Sequence, residues 1–406
     1  MRIGAARTGR NRLLAAGTVA AIAATVLLFG GVLGQDSSAR PGPFAAEAEV
    51  ARGSAELELA RVRVDPSRYP VAEARFRDAL RIGGADAPAL RGLAGLAAAR
   101  HRFDQSLELA QRARKLDPTS AAVYGLIGDA SLELGRFPQA IDAFDRMMSL
   151  KPTPSGYARV SYARELLGER DGAIEAMQMS ADAAGHSEPA AWALTHLGNL
   201  HVGTGELARG VQRYRAALAR VPAYAPALVG LADVAQRRGE GARAERLLRR
   251  ALAQVDDPGA SATLGDVLAK QGHPQEAERW YARALALETE FARHGGRNQI
   301  ETALFDLDHD RNLADALERA RVGLHFRPGV EGLHTYAWAL YKNGRCAEAV
   351  PYSERALALA PTDTGALYHR SLIESCLGND NAAARYASRV RSLDPTFLAP
   401  SAFRLR

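Results

Sequence analysis

Residues 134–152 read LGRFPQAIDAFDRMMSLKP. Residues 204–222 read TGELARGVQRYRAALARVP, and residues 343–361 read NGRCAEAVPYSERALALAP. The side chains differ but the skeleton is shared. A Gly stands near the start, a small residue five places later, a second residue seven further on that is small except for Met147, and a Pro closes the stretch. Working outward, the first small residue recurs as Ala72, Ser106, Ala140, Ala173, Gly210, Ala244, Ala277, Ala316, Ala349 and Ala383. The second recurs from Ala79 and Ala113 to Ala356 and Val390, and Pro118, Pro152, Pro222, Pro328, Pro361 and Pro395 close six of the units. A spacing of about 34 residues marks a helix–turn–helix solenoid. Small residues let two helix backbones approach closely. Gly135, Gly168, Gly205, Gly239, Gly272, Gly344 and Gly378 are placed to end the first helix of a pair in the left-handed conformation. The closing Pro cannot continue the second helix. Leu194, Leu197, Tyr214 and Leu218 fall at helical spacing and give each helix a buried stripe.

These residues resemble the tetratricopeptide repeat (TPR), whose pattern runs W-x2-L-G-x2-Y, A-x3-F and P. LTHLGNLH from Leu194 matches the first half, with Leu for Trp and His201 for Tyr; Tyr214 and Pro222 match the second. YGLIGDAS from Tyr124, with Ala140, Phe144 and Pro152, matches likewise. About ten units fit between residues 45 and 398. The first has a stretched turn, DPSRYP, and an insert near ETEFARHGGRN displaces the eighth. The expected fold is all-α, a right-handed superhelical solenoid in which each unit touches its neighbours. The resemblance extends to bacterial TPR proteins with an N-terminal signal anchor, and it implies a scaffold that binds protein or peptide partners without catalysis.

The chain of 406 residues carries a formal charge of +6, and its first 40 residues hold Arg2, Arg7, Arg10, Arg12 and Arg40 against Asp36. The remainder is nearly neutral, which argues against a nucleic-acid stripe. Residues 1–12 form a basic tip, and residues 13–34, LLAAGTVAAIAATVLLFGGVLG, contain no charge. A run of that length suffices to cross a hydrocarbon core of about 30 Å and exceeds the usual apolar region of a signal peptide. The expectation is a single-pass membrane anchor with the tip in the cytoplasm and the array outside it. Cleavage near SSA at 37–39, giving a secreted protein, is the alternative. Residues 35–44 then form a linker, 45–398 the array and 399–406 a tail.

In the family, side chains at the second, fifth, ninth and twelfth places of each unit face the inner groove. The ninth place reads Asp129, Asn199, Asp233 and Asp266 in middle units. Phe305 and Trp338 follow it later, with His334, Tyr341 and Tyr368 on the same faces. This groove is expected to bind a peptide, its carboxylates meeting basic or amide groups and its aromatics holding a side chain. The other reading makes the Asp and Asn residues helix–helix hydrogen-bonding groups and the aromatics core. Asn199 has Thr195 one turn before it, not the Lys that a carboxylate clamp requires. Asp306, Asp308, Asp310 and Asn312 have calcium-loop spacing, but Arg311 and Leu317 stand where that loop needs Gly and Glu. No phosphate loop, nucleophile elbow or zinc motif is present, so neither enzyme chemistry nor a cofactor is expected. Envelope assembly, and a small-molecule or enzyme site at the aromatic end, are the alternative functions. Cys346 and Cys376 are the only cysteines. Helix order places them at one level of the stack, as a candidate disulfide suited to an oxidising compartment.

Overall fold

The computed structural model describes residues 43–185 and 187–397. The tip, the apolar run at 13–34, most of the linker and the tail at 399–406 lie outside the described residues. Among the described residues no helix is long and apolar enough to cross a membrane. The array holds twenty α-helices and no strand among the described residues, paired into ten units. Units 1 to 5 are α1 (Pro43–Arg63) with α2 (Tyr69–Gly83), α3 (Ala87–Ala99) with α4 (Phe103–Leu116), α5 (Ala121–Glu133) with α6 (Phe137–Leu150), α7 (Pro154–Leu166) with α8 (Arg170–Ala183), and α9 (Ser187–Val202) with α10 (Leu207–Arg220). Units 6 to 10 are α11 (Ala225–Arg237) with α12 (Gly241–Leu252), α13 (Pro258–Lys270) with α14 (Pro274–Arg293), α15 (Gln299–Asp308) with α16 (Leu313–Phe326), α17 (Val330–Lys342) with α18 (Cys346–Leu359), and α19 (Thr364–Cys376) with α20 (Asp380–Leu393).

Local rules account for each unit. Asp86, Thr153, Asp257 and Asp363 cap first helices by accepting a backbone N–H three residues on. All seven turn glycines have positive φ, between 70° and 84°. The first series of small residues is buried from Ala72 to Ala349; only Ala383, in the last unit, is less covered because no unit follows it. The ring of Tyr214 lies against Gly198 of its own unit and Gly230 of the next, where a Cβ would come within 2.5 and 2.4 Å of it. A glycine at that place lets an aromatic ring bind two units together.

One feature departs from the expected nearest-neighbour solenoid. The superhelix is wound so tightly that one turn touches the next. Arg297 donates its backbone N–H to Arg100, and Arg102 donates to the Gly295 carbonyl at 2.8 Å, across 193 residues of sequence. Gly329 donates to the Glu133 carbonyl at 3.0 Å. Thr362 lies against Gly168, and Pro395 against Gly205. The turns inside units 2, 3, 4 and 5 thus meet, in order, the links before units 8, 9 and 10 and the exit from α20. The offset is about six units of the 34-residue period. Both irregularities in the repeat lie on this seam. The insert lengthens α14 to 20 residues and ends in Gly295. Its Phe291 packs against Tyr69 from the stretched turn of unit 1, with ring centroids 6.3 Å apart, and against His101 at 5.2 Å.

Candidate functional site

The first helices of units 3 to 7, with the end of α1, line a channel within the array. On α9, Trp192 and His196 stand one helical turn apart with ring centroids 4.0 Å apart. A cavity of about 890 Å³ extends from them over Tyr224, Val229 and Val255, beneath Val62 and Val64 at the end of α1. A second, about 650 Å³, extends the other way over Met177 and Ala158 to Tyr162 and Asp129. Arg61, Glu188, Trp192, His196 and Asn199 line both, so these are two arms of one trough. Arg61 bridges the trough to Glu188 at 3.2 Å.

Burial in the walls of the trough shifts several of its titrating groups. Burial pushes the His196 imidazole down to about 4, so it is neutral at physiological pH. Burial and the charge of Glu188 push the Tyr224 phenol up to about 12. The Asp129 carboxyl is raised by burial even though Arg159 grips it bidentately at 2.8 to 2.9 Å. The charges around the apolar walls are largely satisfied within the protein: Arg159 with Asp129, Arg61 with Glu188, and Arg237 with Asp233 and Asp394.

Three of the sequence-predicted residues line the trough: Asp129, Asn199 and Asp233. Each already has a partner. Asn199 Oδ1 accepts from the Tyr214 hydroxyl at 2.8 Å, and Arg237 donates to Asp233 at 2.9 Å. Asp266 accepts from the Tyr281 hydroxyl at 2.8 Å and contacts His309 at 2.9 Å. At Asp129, Asn199 and Asp266 the ninth place therefore ties the first helix to another helix, while Asp233 pairs within α11. The aromatic C-terminal residues belong to the core more than to the groove. Trp338 is 1% exposed and Tyr368 4%, in one cluster with Ala303, Leu307 and Leu367, and Tyr341 packs beside them. The Trp338 indole stacks on His369 at 3.7 Å and donates to Asp308, while His334 shares a 2.7 Å contact with His369. Phe305 packs against Tyr281, centroids 5.7 Å apart. A solenoid's last units must cover their own faces, and large rings do so.

The carboxylates of the calcium-like loop point to separate partners: Asp306 to Arg319, Asp308 to Trp338 and Asp310 to Lys342. Among the described residues no group of three or more His, Cys, Asp or Glu is placed to hold a metal. Cys346 and Cys376 are joined by a disulfide with Cα atoms 6.3 Å apart, linking the start of α18 to the end of α19. Trp192, Tyr162 and Glu165 also line the trough, outside the residues expected of the groove. The signal was present: Trp192 holds the second place of unit 5, and Tyr162 and Glu165 hold the ninth and twelfth of unit 4.

The sequence profile described as "Tetratricopeptide repeat" matches residues 57–121, 96–153, 195–259 and 229–292. No curated protein matches the chain. Among solved structures, human IFIT1, a dimer with m7Gppp-AAAA, is similar at 15% identity and a TM-score of 0.51, over 78% of this chain and 72% of that one. Yeast Tom70 is similar at 14% identity and a TM-score of 0.40, over 86% and 92%. PilW, a type IV pilus biogenesis factor, is similar at 16% identity and a TM-score of 0.41, over 49% and 92%. Identities this low speak to the fold alone. The chain thus carries tetratricopeptide repeats over residues 57–153 and 195–292, with the same helix pair repeated between and beyond the matches.

Proposed function

We propose that this protein is a non-catalytic scaffold that holds an extended segment of a partner protein in the trough around Trp192. The observation that carries this reading is the trough itself: a continuous, mainly apolar channel whose flanking charges pair with one another, with an indole at its midpoint. Apolar walls with a few fixed polar groups suit the capture of side chains, and a helical groove suits a peptide. Residues 13–34 tether the array to a membrane, with the array on the extracytoplasmic side; the Arg-flanked apolar run supports this topology. Assembly of envelope machinery is one setting that fits such a scaffold. A photo-crosslinking residue in place of Trp192, in intact cells, tests the groove. A crosslink to one protein partner, lost when the same residue replaces exposed Leu116, is the expected result. Equal labelling from both positions overturns the assignment. Reporters active only in the cytoplasm, fused after residue 200, should be silent; a strongly active fusion reverses the topology.

A further inference from the structure

At one end the trough opens into a pocket of about 370 Å³ on the seam, between units 4, 9 and 10. Tyr162, Glu165, Asn199 and Leu200 line both this pocket and the adjoining arm of the trough, so the two are continuous. The seam pocket differs from the trough in charge. Glu165, Glu331 and Asp363 line it against a single guanidinium, that of Arg170. Arg327, which pairs with Glu331, is divided among Glu133, Glu301 and Glu331. Arg170 turns to the Gly203 carbonyl at 3.5 Å, and Asp363 accepts a helix-capping N–H.

We infer that the segment held in the trough carries a Lys or Arg beside an apolar or aromatic side chain, the cation entering the seam pocket at Glu165 and Glu331 and its neighbour packing in the arm that runs to Trp192. This rests on the peptide-binding reading of the trough and specifies the partner's chemistry. Charge complementarity carries it. The apolar arm is bordered by self-paired charges and selects no sign, whereas the adjoining pocket has carboxylates in excess. Extended chain advances about 3.4 Å per residue and alternates its side chains between faces, so two side chains on one face, about 7 Å apart, reach adjoining compartments. Glu331 remains half exposed, leaving room for a second cation. The Glu165 carboxyl is raised by burial, with Asp363 adding to the shift and Arg170 opposing it. That of Glu331 is raised by burial with Glu133, Glu301 and Asp363 adding and Arg327 opposing. A bound cation would relieve the cost of ionising both. The pocket exists only because the superhelix closes, since its walls come from units about five apart in sequence.

The test is fluorescence anisotropy of the full chain with three labelled peptides of one apolar pattern, carrying Lys/Arg, Gln or Asp/Glu at the variable places. The basic peptide is expected to bind about tenfold tighter than the neutral one, the effect of one charge-assisted contact. That preference should fall in high salt. Glu165→Gln should shrink it to about twofold, and Glu331→Gln should act in the same direction. Trp192→Ala should weaken all three peptides. If peptides bind and Trp192→Ala weakens them without a basic preference, the inference fails and the trough reading stands. If no peptide binds at all, the trough reading fails with it.

Discussion

Gly329→Ala tests the closed superhelix most directly. Gly329 caps α17 with φ −74° and ψ −162°, a conformation open to any residue, so backbone strain does not enter. Its Cβ would lie 2.8 Å from the carbonyl oxygens of Leu132 and Glu133, backbone atoms of the preceding superhelical turn that cannot rotate away. If units touched only their neighbours, the added methyl would face solvent. The substitution would then stabilise the array by about 0.4–1 kcal/mol through the entropy of the unfolded chain. In the closed superhelix the methyl must push the seam open. Overpacking costs about 1–3 kcal/mol, and the Gly329 to Glu133 hydrogen bond, worth about 0.5–1.5 kcal/mol, is weakened. The net expectation is a loss of about 2 kcal/mol after the entropic gain is subtracted. The sign therefore discriminates. Gly95→Ala is the control: its Cβ meets nothing closer than 3.6 Å, and it lies inside α3, where Ala exceeds Gly by up to about 1 kcal/mol. Long repeat arrays need not unfold in two states, so amide hydrogen exchange and small-angle scattering accompany denaturation. The Gly329 amide is expected to be protected in the parent and exposed locally, with a larger radius of gyration, in Gly329→Ala. A Gly329→Ala protein as stable and as compact as the control refutes the seam.

Three further predictions follow from the same structure. Arg327→Ala strands Glu133 and Glu301 on the seam and is expected to cost about 3 kcal/mol, whereas Arg321→Ala, which removes an exposed pair with Glu318, should leave the denaturation midpoint unchanged; equal effects sink the hub role of Arg327. The Glu165 carboxyl titrates above its ordinary value of 4.5, so the folded state holds its proton to higher pH and stability is lost as pH rises above that value. Glu165→Gln should therefore stabilise the protein at neutral pH, with the gain vanishing as pH falls below the ordinary carboxylate range; a gain that persists in acid contradicts the linkage. Cys346→Ser is expected to cost about 3–4 kcal/mol from the loop that the disulfide closes, matched by reductant on the parent; two free thiols in protein taken from its native compartment count against both the bond and the extracytoplasmic topology.

The sequence alone determined the unit and its count. A small residue where backbones approach, a glycine where a helix ends and a proline where one cannot continue are constraints between residues within about one period, and each is written in the residue that obeys it. The ten helix pairs, the positive-φ turns and the level shared by Cys346 and Cys376 follow from these local rules. The same rule of inward-facing places, applied to units 4 and 5, leads to Tyr162, Glu165 and Trp192 as well. What only the tertiary structure decided is how far the stack winds. Superhelical twist is a small rotation summed over about six units, and no single residue carries it. That sum decides the meeting of Gly329 with Glu133, of the insert at Phe291 with the stretched turn at Tyr69, and of Glu165 with Glu331. Whether Trp338 lines a groove or fills a core is decided by how units 8, 9 and 10 pack on one another. In the sequence the insert and the long turn read as two defects of a repeat. In the folded chain they are opposing sides of one contact on the seam.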